Sequence, residues 1–166
     1  MAEITFKGNP IRTAGSLPAT GTTAPDFVLT DGSLKDVTLA DFSGKKKILS
    51  IVISLDTGVC VNSAKQFNEK VAALDGVVLI NISADLPFAA ARICESNNLK
   101  NIVTLSSFRS PDFGKDYGVL VEEGPIRGLL ARSIVVLDED NKVLYTQQGP
   151  ELAEEPDYEA ALAAVR

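Results

Sequence analysis

The chain contains no histidine. That absence removes Ser-His and Cys-His nucleophilic catalysis, HExxH zinc chemistry and c-type haem attachment, each of which needs an imidazole as base or ligand. Tryptophan is also missing, and cysteine occurs twice. Two isolated cysteines cannot build a four-ligand zinc site, and neither a Walker A sequence nor a GxGxxG run after a strand is present. No apolar run is long enough to span a bilayer, and Met1-Ala2-Glu3-Ile4 lacks the basic and apolar regions of a secretory signal. Positive charge is scarce: 16 basic residues against 22 acidic leave a net charge of −6, which argues against binding a nucleic-acid backbone. The one basic cluster, Lys45-Lys46-Lys47, precedes an apolar run and reads as a solvated strand entrance. Thiol, carboxylate, hydroxyl, Lys and Arg are what remain for chemistry.

The 166 residues are 45% apolar, enough for one ordinary core, so residues 1–166 are expected to form a single domain. Residues 1–15 read as an N-terminal hairpin extension, with Ile4-Thr5-Phe6 and Ile11-Arg12-Thr13 joined by a turn at Gly8-Asn9-Pro10. Residues 47–53 form an apolar run that suits a buried strand. Val61, Ala64, Phe67, Val71 and Leu74 then recur at helical spacing, predicting a helix over 60–74. Residues 77–83 are continuously apolar, as in a strand covered on both faces, completing a βαβ unit. Pro87 opens a second helix to about residue 98, and 102–105 and 112–117 give a short strand and a short helix. Strands at 133–137 and 143–147 flank the polar turn Asp138-Glu139-Asp140-Asn141-Lys142, and Pro156 starts a closing helix. This is the element order of an α/β, thioredoxin-like fold: a central mixed β-sheet flanked by helices.

Cys60 falls at the start of the first helix, where the helix end favours a thiolate. With Thr57 as N-cap, Cys60 is the third helical residue, and T-x-x-C reads as a capping box in which sulfur replaces carboxylate. Position alone leaves open a buried, inert cysteine. Thr57 would cap any helix, and Arg132, ahead of an apolar strand, is ordinarily a solvated edge residue. Cys94 lies on the second helix, too far along the chain from Cys60 for a CxxC redox motif, and on its own reads as a core-facing thiol. Two cysteines without a secretory signal suggest a reducing, cytoplasmic location.

Four collinear blocks change that balance: Ser54-Leu55-Asp56-Thr57-Gly58-Val59-Cys60, Ser83-Ala84-Asp85-Leu86-Pro87-Phe88-Ala89 ahead of Cys94, Gly128-Leu129-Leu130-Ala131-Arg132, and Glu155-Pro156-Asp157-Tyr158-Glu159-Ala160-Ala161-Leu162. In these the chain resembles the bacterial thiol peroxidases, atypical two-cysteine peroxiredoxins. The resemblance implies that Cys60 is the peroxidatic cysteine, Cys94 the resolving cysteine, Thr57 the hydroxyl that orients peroxide and thiolate, and Arg132 the cation beside them. It implies reduction of hydrogen peroxide and of alkyl or lipid hydroperoxides through a Cys60–Cys94 intramolecular disulfide, recycling by thioredoxin, a homodimer, and no metal or organic cofactor. The carboxylate of Asp56, beside Cys60 in the motif, would oppose ionisation and is expected to point away. One departure stands out: Ile53 occupies the position where peroxiredoxins usually carry proline, which restores a backbone N–H and loosens φ in the pocket wall. The competing readings are a thiol–disulfide oxidoreductase, against which the lack of CxxC argues, and a redox-switched binding protein on the same fold.

Overall fold

The computed structural model describes residues 3–166. Its centre is three parallel strands, β5 (Lys46–Ile51), β6 (Val77–Ser83) and β7 (Ile102–Ser106), joined by helices α1 (Gly58–Val71) and α2 (Pro87–Ser96). On one side β8 (Ser133–Leu137) runs antiparallel to β5, and β9 (Val143–Gln147) antiparallel to β8. On the other, β3 (Leu29–Thr30) and β4 (Asp36–Val37) extend the sheet, giving seven strands in the order β4-β3-β7-β6-β5-β8-β9. The mixed sheet follows from the connections: helical crossovers produce the parallel pairs, and the tight Asp138–Lys142 turn produces the antiparallel one. In that turn the Asp138 carboxylate accepts from Asp140 N–H and Lys142 N–H at 2.8 and 2.9 Å.

Alternation along the central strands sends side chains to two cores. Leu49, Ile51, Ile80, Ile82, Val135 and Leu137 enter the larger one, under the N-terminal segment and α3 (Asp112–Asp116). Ile48, Leu79, Ile134 and Val136 face the other way, against Phe67 and Val71 of α1 and Ala161 and Leu162 of α4 (Tyr158–Ala163). In the larger core Phe27, Phe113 and Tyr117 form an aromatic cluster, with Phe113 and Tyr117 stacked at 4.7 Å, and Tyr117 Oη donates to the Pro25 carbonyl at 2.7 Å. Burial of the Tyr117 phenol pushes its pKa up, since a phenolate there would lose its hydration. Gly118 is required beside it: φ is +68°, and a Cβ would lie 2.2 Å from the Ser16 carbonyl oxygen.

Four expectations need correction. Lys47 is fully buried rather than solvated. Its ammonium donates to the carbonyls of Asp138 and Glu139 and, at 2.7 Å, to Asn141 Oδ1, and burial depresses its pKa while the turn's carboxylates oppose the shift. The N-terminal hairpin pairs β1 (Glu3–Phe6) with β2 (Asn9–Arg12) across a two-residue turn at Lys7-Gly8, both with positive φ, so Asn9 and Pro10 lie in the strand. α4 begins after Asp157 and not at Pro156, because the Asp157 carboxylate caps Ala160 N–H at 3.1 Å. α1 ends at Val71, leaving Leu74 in the following turn, and its buried stripe is Cys60, Ala64, Phe67 and Val71, with Val61 half-buried at its margin. No helix among the described residues is long and apolar enough to cross a membrane.

Candidate active site

β5 delivers the chain to the site. After Ile51 the backbone leaves the sheet, with one last bond from Val52 N–H to the Ile82 carbonyl at 2.9 Å, and turns through 54–57 into α1. Thr57 is extended and is the N-cap: its Oγ1 accepts from Cys60 N–H at 3.3 Å and donates to the Ser54 carbonyl at 3.2 Å. Cys60 is therefore the third helical residue. The reciprocal half of the capping box differs from expectation, because Thr57 N–H donates to the Ser54 carbonyl at 3.4 Å rather than to sulfur. Cys60 heads the buried stripe and is 0% exposed, whereas Asp56 is solvent-exposed.

Arg132 immediately precedes Ser133, which pairs with Ile51, so the guanidinium belongs to the sheet end from which the Cys60 segment departs. It is buried. Nε donates to the Leu152 carbonyl at 3.0 Å, while Nη1 is buried with no hydrogen-bond partner among the described residues. A buried guanidinium nitrogen left unpaired is costly, and an oxygen-rich ligand would satisfy it. Cys94 stands apart from this group. It is half-buried on α2, packs against Leu55, Ala64, Ala90 and Leu99, and is a free thiol, as is Cys60. Burial pushes the Cys94 thiol pKa up, and a hydrogen bond with the Thr104 side chain pulls the other way. Thr57 and Cys60 are thus in direct contact and Arg132 shares their end of the sheet, whereas Cys94 sits in a separate apolar cluster.

The Redoxin family model matches residues 19–162. A thiol peroxidase of Staphylococcus saprophyticus is 51% identical over 166 residues, covering all of this chain and 99% of the relative, and one of Mycobacterium tuberculosis is 48% identical over 165 residues, covering 99% of each. Among solved structures, a peroxiredoxin-like protein from Aquifex aeolicus superposes with a TM-score of 0.92 at 38% identity, over 99% of this chain and 96% of its own. The chain belongs to the thiol peroxidase family.

Within this thiol peroxidase framework, Ile53 is 6% exposed and joins the larger core, so it fills apolar volume in the wall behind the site. Two residues of the sequence blocks, Tyr158 and Asp85, take supporting roles that the sequence did not assign to them. Tyr158 Oη is 3.1 Å from Ser63 Oγ and its ring meets Phe67 edge-on at 5.0 Å, which ties α4 to the Cys60 helix. Asp85 accepts hydrogen bonds from Ser54, Leu55 and Ser83. The residue at the α2 cap is Leu86, with no side-chain cap bond.

Proposed function

We propose that this oxidoreductase of the thiol peroxidase family reduces hydrogen peroxide and organic hydroperoxides at Cys60. What carries the reading is the pairing of Cys60, N-capped through its own N–H by Thr57, with a buried guanidinium at the same sheet end whose Nη1 lacks a partner. In the first step the Cys60 sulfur attacks the O–O bond: an S–O bond forms, the O–O bond breaks, and the departing oxygen leaves as water or alcohol after taking a proton. Arg132 and the N–H groups of the first helical turn stabilise charge on the peroxide oxygens. Cys94 then attacks the sulfenic acid, forming an S–S bond and releasing water, and thioredoxin reduces that disulfide by exchange. Burial of Cys94 fits its role as a thiol protected until called on.

Entry of Ile4 and Ile11 of the hairpin into the larger core supports reading the hairpin as part of a single domain. Exposed Val28, Leu34 and Phe108 lie around the β3–β4 edge, and an apolar patch of this kind supports a homodimer. Free cysteines suit a cytoplasmic location.

Peroxide-dependent NADPH consumption with thioredoxin and thioredoxin reductase tests the reading. Cys60→Ser is expected to abolish turnover, and Cys94→Ser to consume about one equivalent of peroxide and stall with a dimedone-trappable sulfenic acid. Steady turnover by Cys60→Ser would overturn the assignment. A disulfide oxidoreductase would work without peroxide, and a binding switch would consume none.

A further inference from the structure

The Asp85 carboxylate is bonded to the segments that lead to both cysteines. Oδ1 accepts from Ser54 Oγ at 2.7 Å, and Oδ2 accepts from Leu55 N–H and Ser83 Oγ, each at 2.8 Å. Ser54 and Leu55 belong to the link from β5 to α1, the approach to Cys60. Asp85 itself belongs to the link from β6 to α2, the approach to Cys94, and its carbonyl accepts from Ser106 Oγ on β7. The contact runs on to the reacting end, since the Ser54 carbonyl accepts from the Thr57 hydroxyl, and that hydroxyl accepts from Cys60 N–H. An apolar contact runs parallel to the polar one: Leu55 is buried with Ala64 of α1 and Ala90 of α2, in the cluster on which Cys94 packs.

The rest of α2 is lightly held. Pro87 and Ala90 are its buried residues, its N-cap Leu86 makes no side-chain cap bond, and a groove bounded by Asp56, Asp85, Arg92 and Ile93 runs along its flank. A disulfide requires Cα atoms within about 7 Å. With the two thiols free and packed in separate clusters, one or both approaches must shift before S–S bond formation.

We propose that Asp85 is a positioning residue that acts on the two halves of the cycle in opposite senses. Closed, the clasp holds Ser54, and through it Thr57 and the Cys60 N–H, in register for attack on peroxide. It must open before the Cys94 sulfur can reach the Cys60 sulfenic acid, where the S–S bond forms, the Cys60 S–O bond breaks and the hydroxyl leaves as water with the Cys94 proton. This rests on the assignment of Cys60 and Cys94 under Proposed function.

The test is single-turnover reaction of the full-length reduced protein with stoichiometric hydrogen peroxide. Acid-quenched samples are scored by mass for Cys60 sulfenic acid and for the Cys60–Cys94 disulfide, in the parent and in Asp85→Asn and Ser54→Ala. Asp85→Asn exchanges an acceptor oxygen for an NH₂ group, and Ser54→Ala removes one bond, so the second variant decides the matter if the first does not fold. Each is expected to slow sulfenic acid formation and to speed disulfide formation, by about 10-fold, the lower end for a lost charge-assisted bond. Because resolution then competes better with a second oxidation, the peroxide concentration that drives Cys60 to sulfinic acid is expected to rise. A role confined to holding Thr57 and the Cys60 N–H would slow sulfenic acid formation and leave disulfide formation unchanged. Rates unchanged in both variants, or shifted in one direction, would overturn the proposal. Failure of the underlying assignment looks different: the parent itself would form no Cys60 sulfenic acid or no Cys60–Cys94 disulfide, and the clasp would fall with it.

Discussion

Thr57 combines two functions in one hydroxyl, and substitution can separate them. Thr57→Asn keeps an N-cap of comparable quality without the hydroxyl, whereas Thr57→Val loses the cap, at a cost of about 1 kcal/mol. If the hydroxyl orients peroxide, Thr57→Asn keeps its melting temperature and loses peroxide rate; an unchanged rate reduces Thr57 to a cap. Arg132→Met is expected to lower the second-order rate with hydrogen peroxide by about 10²- to 10³-fold, the range for losing a preorganised charge-stabilising donor. Stopped-flow measurement of that rate is the check, and a parental value would remove Arg132 from the site. The helical position of Cys60 was legible because T-x-x-C followed by Ala64, Phe67 and Val71 fixes both cap and phase. The burial of Arg132 was not, since what draws it inward is the Leu152 carbonyl twenty residues away. Asp85 was hidden for the same reason: its partners Ser54 and Leu55 lie about thirty residues earlier in the chain.

Elements whose borders are marked by a change in hydrophobic pattern were readable to the residue: β6, β8 and β9 have the bounds expected of them. Borders set by a single hydrogen bond were not, as the Asp157 cap of α4 and the inward turn of Lys47 illustrate. The hairpin turn was misplaced because Gly8-Asn9 is as good a turn pair as Lys7-Gly8, and pairing of Phe6 with Asn9 decides between them. That hairpin is latched by Glu151, whose carboxylate accepts from Thr5 Oγ1 at 2.6 Å and from the N–H groups of Lys7 and Gly8, holding its pKa down to about 2 against an ordinary 4.5. A carboxylate bound more tightly in its ionised form contributes stability above its unfolded value and loses it as pH falls through its folded one. Glu151→Gln is therefore expected to melt below the parent at pH 6. The gap should close as pH falls from about 4.5 towards about 2, which scanning calorimetry across that range reads directly. A constant gap would mean that the carboxylate's charge contributes nothing to the latch. The Phe67–Tyr158 contact holds α4 to α1, and Phe67→Ala, emptying a fully buried site, is expected to cost about 3–5 kcal/mol by urea unfolding.

For the molecule as a whole, stoichiometric peroxide is expected to give an oxidised monomer on a non-reducing denaturing gel, whatever the oligomeric state of the native protein. A disulfide-linked dimer as the main product would place the resolving thiol on the other subunit. The sheet order carries one more implication, for biosynthesis. β5 lies between β6 and β8, and β8 together with α4 closes the core over the α1 face, yet residues 133–163 are made well after β5 and α1. At about 5–20 residues per second, roughly 4–15 s separate synthesis of Cys60 from synthesis of β8. Throughout that interval the strand leading to Cys60 has an open edge and the thiol lacks the walls that enclose it in the finished protein. The ribosome-bound chain is then a more easily oxidised species than the enzyme it becomes. Alkylation of chains stalled before residue 133 should mark Cys60 rapidly, and the same reagent should find it shielded once β8 has paired with β5 and brought Val135 and Leu137 into the core that holds Cys60.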